Sequence, residues 1–137
     1  PKYPKDGFDF IFHQYREPLS TISSLQTFSP ISWNYINKFV RVEKDNKIVK
    51  AMKYWYHWNS FVMKKANYAY RIENIENAIY DMLIIIGKEK LIESFDKKSI
   101  SKKTNSRKHK NLSWTDLEKE NFGLSIKIKE MAQKIGY

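Results

Sequence analysis

The sequence predicts an α/β fold that is rich in helix. Two segments have the character of strands: residues 8–15 are aromatic and β-branched without a breaker, and residues 68–73 alternate in polarity. The other apolar residues recur mainly at helical spacing. The resulting order, strand–helix–helix–helix–strand–helix, is typical of α/β layering. The 137 residues are one domain's worth of chain, so we predict a single domain over residues 1–137.

Prolines mark the starts of the first two helices. Pro18 stands at a first helical position and predicts a helix from residue 18 to about residue 28. Ser29 and Pro30 then form an N-cap and N1 pair that opens a second helix. The apolar side of this second helix carries Trp33, Ile36 and Val40.

A charged connection, residues 41–46, precedes a long predicted helix over residues 47–67. Its apolar positions at helical spacing are Ile48, Met52, Trp55 and Val62. The aromatic cluster at residues 54–58 could serve as a platform for stacking bases. Dense aromatic residues at helical spacing are more often buried, and we interpret this cluster as part of the core.

The second strand leads into a helix over residues 76–86, which Gly87 ends. Residues 88–112 predict a long basic loop, because the second half of this segment carries basic residues and no acidic one. Ser113 and Asp116 form a capping box that starts a last helix. The apolar stripe of this last helix is Leu124, Ile128, Met131 and Ile135.

The composition indicates a folded and strongly basic protein. Hydrophobic residues make up 42% and aromatic residues 15% of the chain, and the formal net charge is +10. This charge favours an anionic partner, such as a nucleotide, nucleic acid, a sulfated or phosphorylated substrate, or a membrane surface. There is no cysteine and the three histidines are widely spaced, so we predict no metal site. No apolar run has transmembrane length and no signal-peptide pattern is present, so we expect no membrane span and a cytoplasmic location.

The most informative segment joins the first strand to the first helix. Arg16 ends the strand, and Ser24 follows eight positions later on the helix. Arginine presents a forked and permanently charged donor, while the first turn of a helix offers unpaired N–H groups at the positive end of its dipole. A hydroxyl two turns along adds one more hydrogen bond. The segment therefore predicts a site for an anion.

A strand, an Arg, seven intervening residues and a Ser on the next helix together resemble the 3′-phosphate-binding element of sulfotransferases. These enzymes use 3′-phosphoadenosine 5′-phosphosulfate. The resemblance implies a partial P-loop-type sulfotransferase fold, in which two short strands of a parallel sheet are packed by helices. It also implies that Arg16 and Ser24 bind the 3′-phosphate of that donor or of adenosine 3′,5′-bisphosphate, without a metal.

A second segment resembles a late motif of the same family, Arg-Lys-Gly followed after two residues by Gly-Asp-Trp, in a loop that folds over the nucleotide. Arg107, Lys108 and Trp114 match this motif in type and spacing, which implies that they also bind the cofactor. His109 replaces the first glycine, and this replacement costs backbone freedom. A solvated basic loop before a capped helix accounts for the segment equally well.

A third segment, residues 70–75, resembles the family's strand that ends in Tyr-Glu-Asp-Leu. We interpret this segment as structural. Glu73 then ties the strand end to a neighbouring helix or accepts a hydrogen bond from a buried arginine.

The chain departs from the family at the loop that holds the 5′-phosphosulfate. Its four glycines are isolated, and no Gly-rich or Ser/Thr-Lys loop of that kind occurs. The resemblance therefore covers only the C-terminal part of the family's domain. It implies that the chain is either a fragment of a longer enzyme or a shortened relative. We assign no catalytic residue and expect this chain alone to be inactive, because nothing would stabilise the transferring group. The acceptor, a hydroxyl or amine compound, is not specified by the sequence.

The missing loop also affects the sheet. In the family fold the two strands flank the phosphate-loop strand on opposite sides. We therefore expect residues 8–15 and 68–73 either to pair directly or to leave a slot that self-association fills.

Two functions of other classes fit the same residues. A basic α-helical module could bind nucleic acid through the basic loop and neighbouring aromatic residues. Charge is the only support for that function, since no helix-turn-helix, zinc or RNA-recognition signature occurs, and we do not expect nucleic acid as the partner. A non-catalytic interaction module could instead take a sheet strand from a partner or from a second copy.

Overall fold

The structure, a computed structural model, describes residues 8–42, 44–95 and 108–137. Within these ranges it is helix-rich with a small parallel sheet, so the α/β class is confirmed. Short 3₁₀ turns stand before and after the fourth helix, at residues 72–74 and 89–91. In chain order the elements are β1 (Phe12–Tyr15), α1 (Pro18–Leu25), α2 (Pro30–Asn37), α3 (Lys47–Met63), β2 (Tyr68–Arg71), α4 (Ile75–Ile85) and α5 (Trp114–Lys134).

The two strands pair directly and run parallel. Phe12 lies opposite Tyr68, and Tyr15 lies opposite Arg71. One residue earlier, the Asn67 N–H donates to the Ile11 carbonyl at 2.9 Å, and the Asn67 Oδ1 accepts from the Ile11 N–H at 2.8 Å. Direct pairing is thus the arrangement found, and no slot separates β1 from β2.

The first strand is shorter than the sequence predicts. It begins at Phe12 rather than at residue 8, and the rings of Phe8 and Phe10 are 59% and 42% exposed. The prediction of a strand from an aromatic run assumes that its rings are buried. Residues 8–11 have few packing partners among the described residues, so this part of the run does not form a strand.

Capping residues set the helix starts where the sequence predicts them. The Ser29 hydroxyl accepts from the Ser32 N–H at the start of α2. At the start of α5, the Asp116 N–H donates to the Ser113 Oγ at 3.2 Å and the Ser113 N–H donates to the Asp116 carboxylate at 2.8 Å, which is the expected capping box.

The ends of α1 and α3 come earlier than predicted. After Leu25, the Thr27 hydroxyl donates to the Ser24 carbonyl at 2.8 Å, so a side chain takes an acceptor that further helix would have used. Helix α3 ends at Met63 because Asn67 must already be extended to pair with Ile11.

Helix α3 lies at the centre of the core and packs on α1 and α5. Its Met52 and Trp55 are 0% and 3% exposed. The aromatic cluster of residues 54–58 is core through Trp55, whereas its flanking rings are half-buried and His57 is exposed. The buried core cluster consists of Ile22, Leu25, Trp33, Ile36, Val40, Val42, Ala51, Met52, Trp55, Leu112, Leu117 and Ile128.

Helices α4 and α5 differ in how well they are covered. Within the described residues, α4 buries only Ala78, and its Ile84 is 51% exposed. Helix α5 packs along α3 in spite of a break at Asn121, where φ is −158° and ψ is 95°. Among the helices of the described ranges, none combines the length and apolar composition that crossing a membrane requires.

Replacing Ile128 with alanine tests the packing of α5 on α3. Ile128 is fully buried, so Ile128→Ala should lower the free energy of unfolding by about 2–5 kcal/mol through lost burial and a cavity. Ile126→Ala is the matched control, because Ile126 lies on the same helix and is 39% exposed; we expect it to cost under about 1 kcal/mol. Urea denaturation measures both values, and equal losses would contradict the packing.

Candidate anion site at the strand–helix corner

Arg16 lies at the corner between β1 and α1. The carboxyl ends of the two parallel strands meet here, since Tyr15 is opposite Arg71, and this is the edge at which open α/β sheets bind ligands. The Arg16 carbonyl accepts from the Trp55 indole N–H at 3.3 Å. Its side chain is exposed, and no ion pair engages the guanidinium in the part of the chain that the structure describes. The backbone is thus fixed while the charged group can reach a ligand.

Arg16 also borders a small cavity between α1 and α3, with a volume of about 100 Å³. Thr21 lines it and Ser24 does not. The Thr21 hydroxyl hydrogen is already donated to the Glu17 carbonyl at 2.7 Å. Ligand pockets usually measure about 300–1,000 Å³, so a nucleotide would lie across this opening rather than inside it. The other lining residues are Gln14, Leu25, Tyr54, Trp55, Trp58 and Asn59.

The N-terminus of α1 has no open donors, contrary to the expectation from the sequence. Glu17 is the N-cap, and its carboxylate accepts from the Leu19 and Ser20 N–H groups at 2.9 and 2.5 Å. Pro18 has no N–H, and the Thr21 N–H donates to the Glu17 carbonyl. The prediction of unpaired first-turn N–H groups was wrong, because an acidic cap satisfies them. An anion at this corner would be bound by side chains.

The late basic segment lies against α1. The Leu112 N–H donates to the Ser23 Oγ at 2.9 Å, in a buried hydrogen bond between residues 89 positions apart. This bond brings together the two segments that the sequence singled out. Lys108 is exposed at the start of the described part of that segment, and Arg107 lies outside the described residues.

Ser24 and His109 each carry a polar side-chain atom that has no hydrogen-bond partner among the described residues. Ser24 is half-buried, and its hydroxyl makes no hydrogen bond within the described residues, although its carbonyl accepts from the Thr27 hydroxyl. His109 is half-buried, and no described group bonds to its Nδ1. The Ser24 hydroxyl can therefore contact a ligand without breaking an existing bond, whereas the His109 Nδ1 is itself buried.

Trp114 is the first residue of α5 and packs against the core cluster. The Lys129 ammonium lies 5.3 Å from the centroid of its ring, a cation–π distance. These contacts give Trp114 a role in fixing the start of α5. A direct contact of Trp114 with a cofactor stays a prediction.

His13 belongs to a buried hydrogen-bond network under the corner. The Asn59 amide nitrogen donates to the Trp55 carbonyl at 2.8 Å, so the Asn59 oxygen faces His13 Nε2 at 2.9 Å and that nitrogen carries the hydrogen. Burial lowers the pKa of His13 below its ordinary value, and the bond to Asn59 opposes this only in part. His13 is thus a neutral structural donor at neutral pH.

A larger cavity, of about 630 Å³, lies between β2, α4 and the end of α5, and its lining excludes Arg16 and Ser24. Here the Tyr137 hydroxyl donates to the Glu73 carboxylate at 2.8 Å, so Glu73 ties the end of β2 to the end of α5, as one of its two predicted roles requires. Arg71 is held by the Gly136 carbonyl. We place the candidate site at Arg16 despite this larger cavity, because Arg16 is a charged donor that no described residue engages.

Replacing each of two adjacent serines with alanine tests the contact between α1 and the basic segment. Ser23→Ala leaves the buried Leu112 N–H without its acceptor and should lower the free energy of unfolding by about 1–3 kcal/mol. It should also speed amide hydrogen exchange at Leu112. Ser24→Ala is the matched control and should change neither quantity appreciably. If Leu112 exchanges equally fast in both variants, the hydrogen bond is not formed in solution.

The depressed pKa of His13 makes stability depend on pH. The unfolded histidine takes up a proton as pH falls through about 6.5, while the folded one stays neutral to lower pH. Protonation therefore stabilises the unfolded state as pH falls below about 6.5, and the free energy of unfolding decreases by at most about 1.4 kcal/mol per pH unit for one group until the folded histidine is protonated too. His13→Gln should remove much of this loss, and His57→Gln less, since His57 is exposed. Urea denaturation between pH 7 and 5 measures it; an unchanged pH profile in His13→Gln would contradict the assignment.

Comparison of the chain with protein-family models, with curated proteins and with solved structures finds no match. The geometry of the chain's own residues therefore carries the functional assignment. Two features favour binding of an anion. Arg16 is a charged donor at the corner, and the basic segment is hydrogen-bonded to α1 through the Leu112 N–H and the Ser23 hydroxyl.

Proposed function

We propose that this chain is the C-terminal portion of a sulfotransferase-like protein and binds the 3′-phosphate of its nucleotide. The ligand would be 3′-phosphoadenosine 5′-phosphosulfate or adenosine 3′,5′-bisphosphate. The bond between the Leu112 N–H and Ser23 Oγ carries this proposal. It brings the basic segment against the helix that bears Ser24, and Arg16 stands at the start of that helix.

The proposed contacts are made by side chains. Arg16 supplies a forked charged donor, Ser24 a hydroxyl, and Lys108 a second positive charge. Glu17 opposes an anion, because its carboxylate lies within the first turn of the same helix. We therefore expect weak binding that depends strongly on Arg16.

The proposal is for binding without transfer by this chain alone. The sequence has no loop of the kind that holds a phosphosulfate. His13 is near Arg16 in sequence, but it is buried, and its Nε2 hydrogen is engaged by Asn59. It does not offer a general base to an acceptor.

A protein-interaction role is the second candidate, and the exposed apolar side of α4 favours it. Within the described residues α4 buries only Ala78, and its Ile84 is 51% exposed; exposed apolar surface can mark a contact site between proteins. Sedimentation across a concentration series distinguishes self-association from a monomer.

Nucleotide binding by the Arg16→Ala variant tests the proposal. Adenosine 3′,5′-bisphosphate should bind more tightly than adenosine 5′-monophosphate, and Arg16→Ala should weaken it by about 10- to 100-fold through loss of a charged hydrogen-bond donor. Glu17→Gln should tighten binding by removing a like charge. Lys90→Gln, which removes one positive charge from an exposed turn outside this corner, is the control. Calorimetry that gives equal affinity for both nucleotides, or an unchanged Arg16→Ala variant, would overturn the proposal.

A further inference from the structure

Trp58 separates the corner from a second cleft. Its ring lines the small cavity beside Arg16 and also a cavity of about 420 Å³ on another side of α3. This second cavity lies within the usual size of a pocket for a small molecule, about 300–1,000 Å³. The residues that line it include Phe39, Arg41, Lys53, His57, Trp58 and Phe61.

Aromatic rings form one part of the cleft wall. Phe39 is 38% exposed and packs edge-on against Tyr35, with ring centroids 5.3 Å apart. Trp58 stacks on Tyr54, with centroids 6.0 Å apart and an interplanar angle of 28°. Neighbouring rings therefore hold Phe39 and Trp58 in fixed orientations, and both present apolar surface to the cleft.

Positively charged side chains form the other part of the cleft wall. Arg41 is exposed, and it lines both this cleft and an adjoining cavity of about 470 Å³, together with Lys53. Lys53 bonds to Asp45 at 2.7 Å, so its charge is partly compensated. Asp45 is the only acidic residue among the described residues that line the two cavities.

The state of His57 reflects the same positive field. Partial desolvation of the exposed ring lowers the pKa of His57, and the charges of Lys53 on α3 and Lys127 on α5 lower it further. Its imidazole is therefore neutral at neutral pH and can donate one hydrogen bond. Additional positive charge is disfavoured at this position, whereas an anion would be stabilised.

We propose that this cleft binds a planar aromatic ring that carries a phosphate or sulfate group. The ring packs against Trp58 and Phe39, and the anionic group takes a forked charged hydrogen bond from Arg41 and a further contact from His57. This site does not depend on the nucleotide site at Arg16. Its residues come from α3 and from the segment after α2, and the Arg16 side chain takes no part in it.

Binding of 1-naphthyl phosphate to the full chain tests this site. 1-Naphthol supplies the ring alone and inorganic phosphate supplies the anion alone. By calorimetry, 1-naphthyl phosphate should bind at least about tenfold more tightly than either, because only it uses both walls. Equal binding of inorganic phosphate would overturn the proposal, since the aromatic wall would then contribute nothing.

Two substitutions in the cleft and two outside it locate the binding. Arg41→Gln should weaken the binding of 1-naphthyl phosphate by about tenfold or more. Phe39→Ala should weaken it by a smaller factor, and Phe39 is exposed enough that we expect the protein to tolerate the change. Lys90→Gln removes one positive charge from an exposed turn outside the cleft and is the matched control. Arg16→Ala should leave this affinity unchanged, which separates the two sites. A Lys90→Gln loss equal to that of Arg41→Gln would reduce the site to non-specific attraction and overturn it.

The His57 ring gives an independent readout by NMR. Saturation with 1-naphthyl phosphate should raise the pKa of His57, because the anion offsets the charges of Lys53 and Lys127. 1-Naphthol should not raise it, and His57→Gln identifies the resonance. An unchanged His57 pKa at saturation would place the anion elsewhere and overturn the proposal.

Discussion

Trp55 is the residue on which the core, the sheet and the candidate site jointly depend. Its ring is 3% exposed at the centre of the core, and its indole N–H donates to the Arg16 carbonyl. Its own carbonyl accepts from Asn59, which in turn engages His13 on β1. One side chain on α3 thereby fixes the end of β1 and the direction in which Arg16 leaves it. A buried polar group without a partner is costly, so these bonds leave the corner few alternative arrangements.

Helix starts could be predicted from the sequence, as could the end of α4 at Gly87, while the ends of α1 and α3 and the strand lengths could not. Ser29 and Ser113 cap through neighbouring N–H groups, and such bonds depend on residues three or four positions away. The end of α3 depends instead on Asn67 meeting Ile11. Glu17 shows that local reading can also go wrong. Glu17 stands directly before Pro18, and its carboxylate fills the helix N-terminus, whereas the anion-site pattern depends only on Arg16, Pro18 and Ser24.

The candidate site shows the same division between local and tertiary information. Arg16 was identified because strand, Arg and Pro18 are adjacent in sequence. Ser23 was not, since its partner Leu112 lies 89 positions away and nothing local distinguishes it from Ser24. The cleft beside Trp58 was missed for a similar reason: Phe39 and Arg41 come from the segment after α2, and His57 from α3. Aromatic residues at helical spacing predict burial, and only the fold reveals which of them keep an accessible face.

The direct pairing of β1 with β2 has a consequence for the order in which this protein folds. Each strand has four residues, and a pair this small is not stable without helices packed on it. Ile11 and Asn67 are 56 positions apart, so their pairing closes a long loop at a considerable cost in chain entropy. Helices α1 to α3 lie within that loop, and their association shortens the distance that remains to be closed. We therefore expect the sheet to form after the helices dock, so that the corner that bears Arg16 acquires its geometry late in folding.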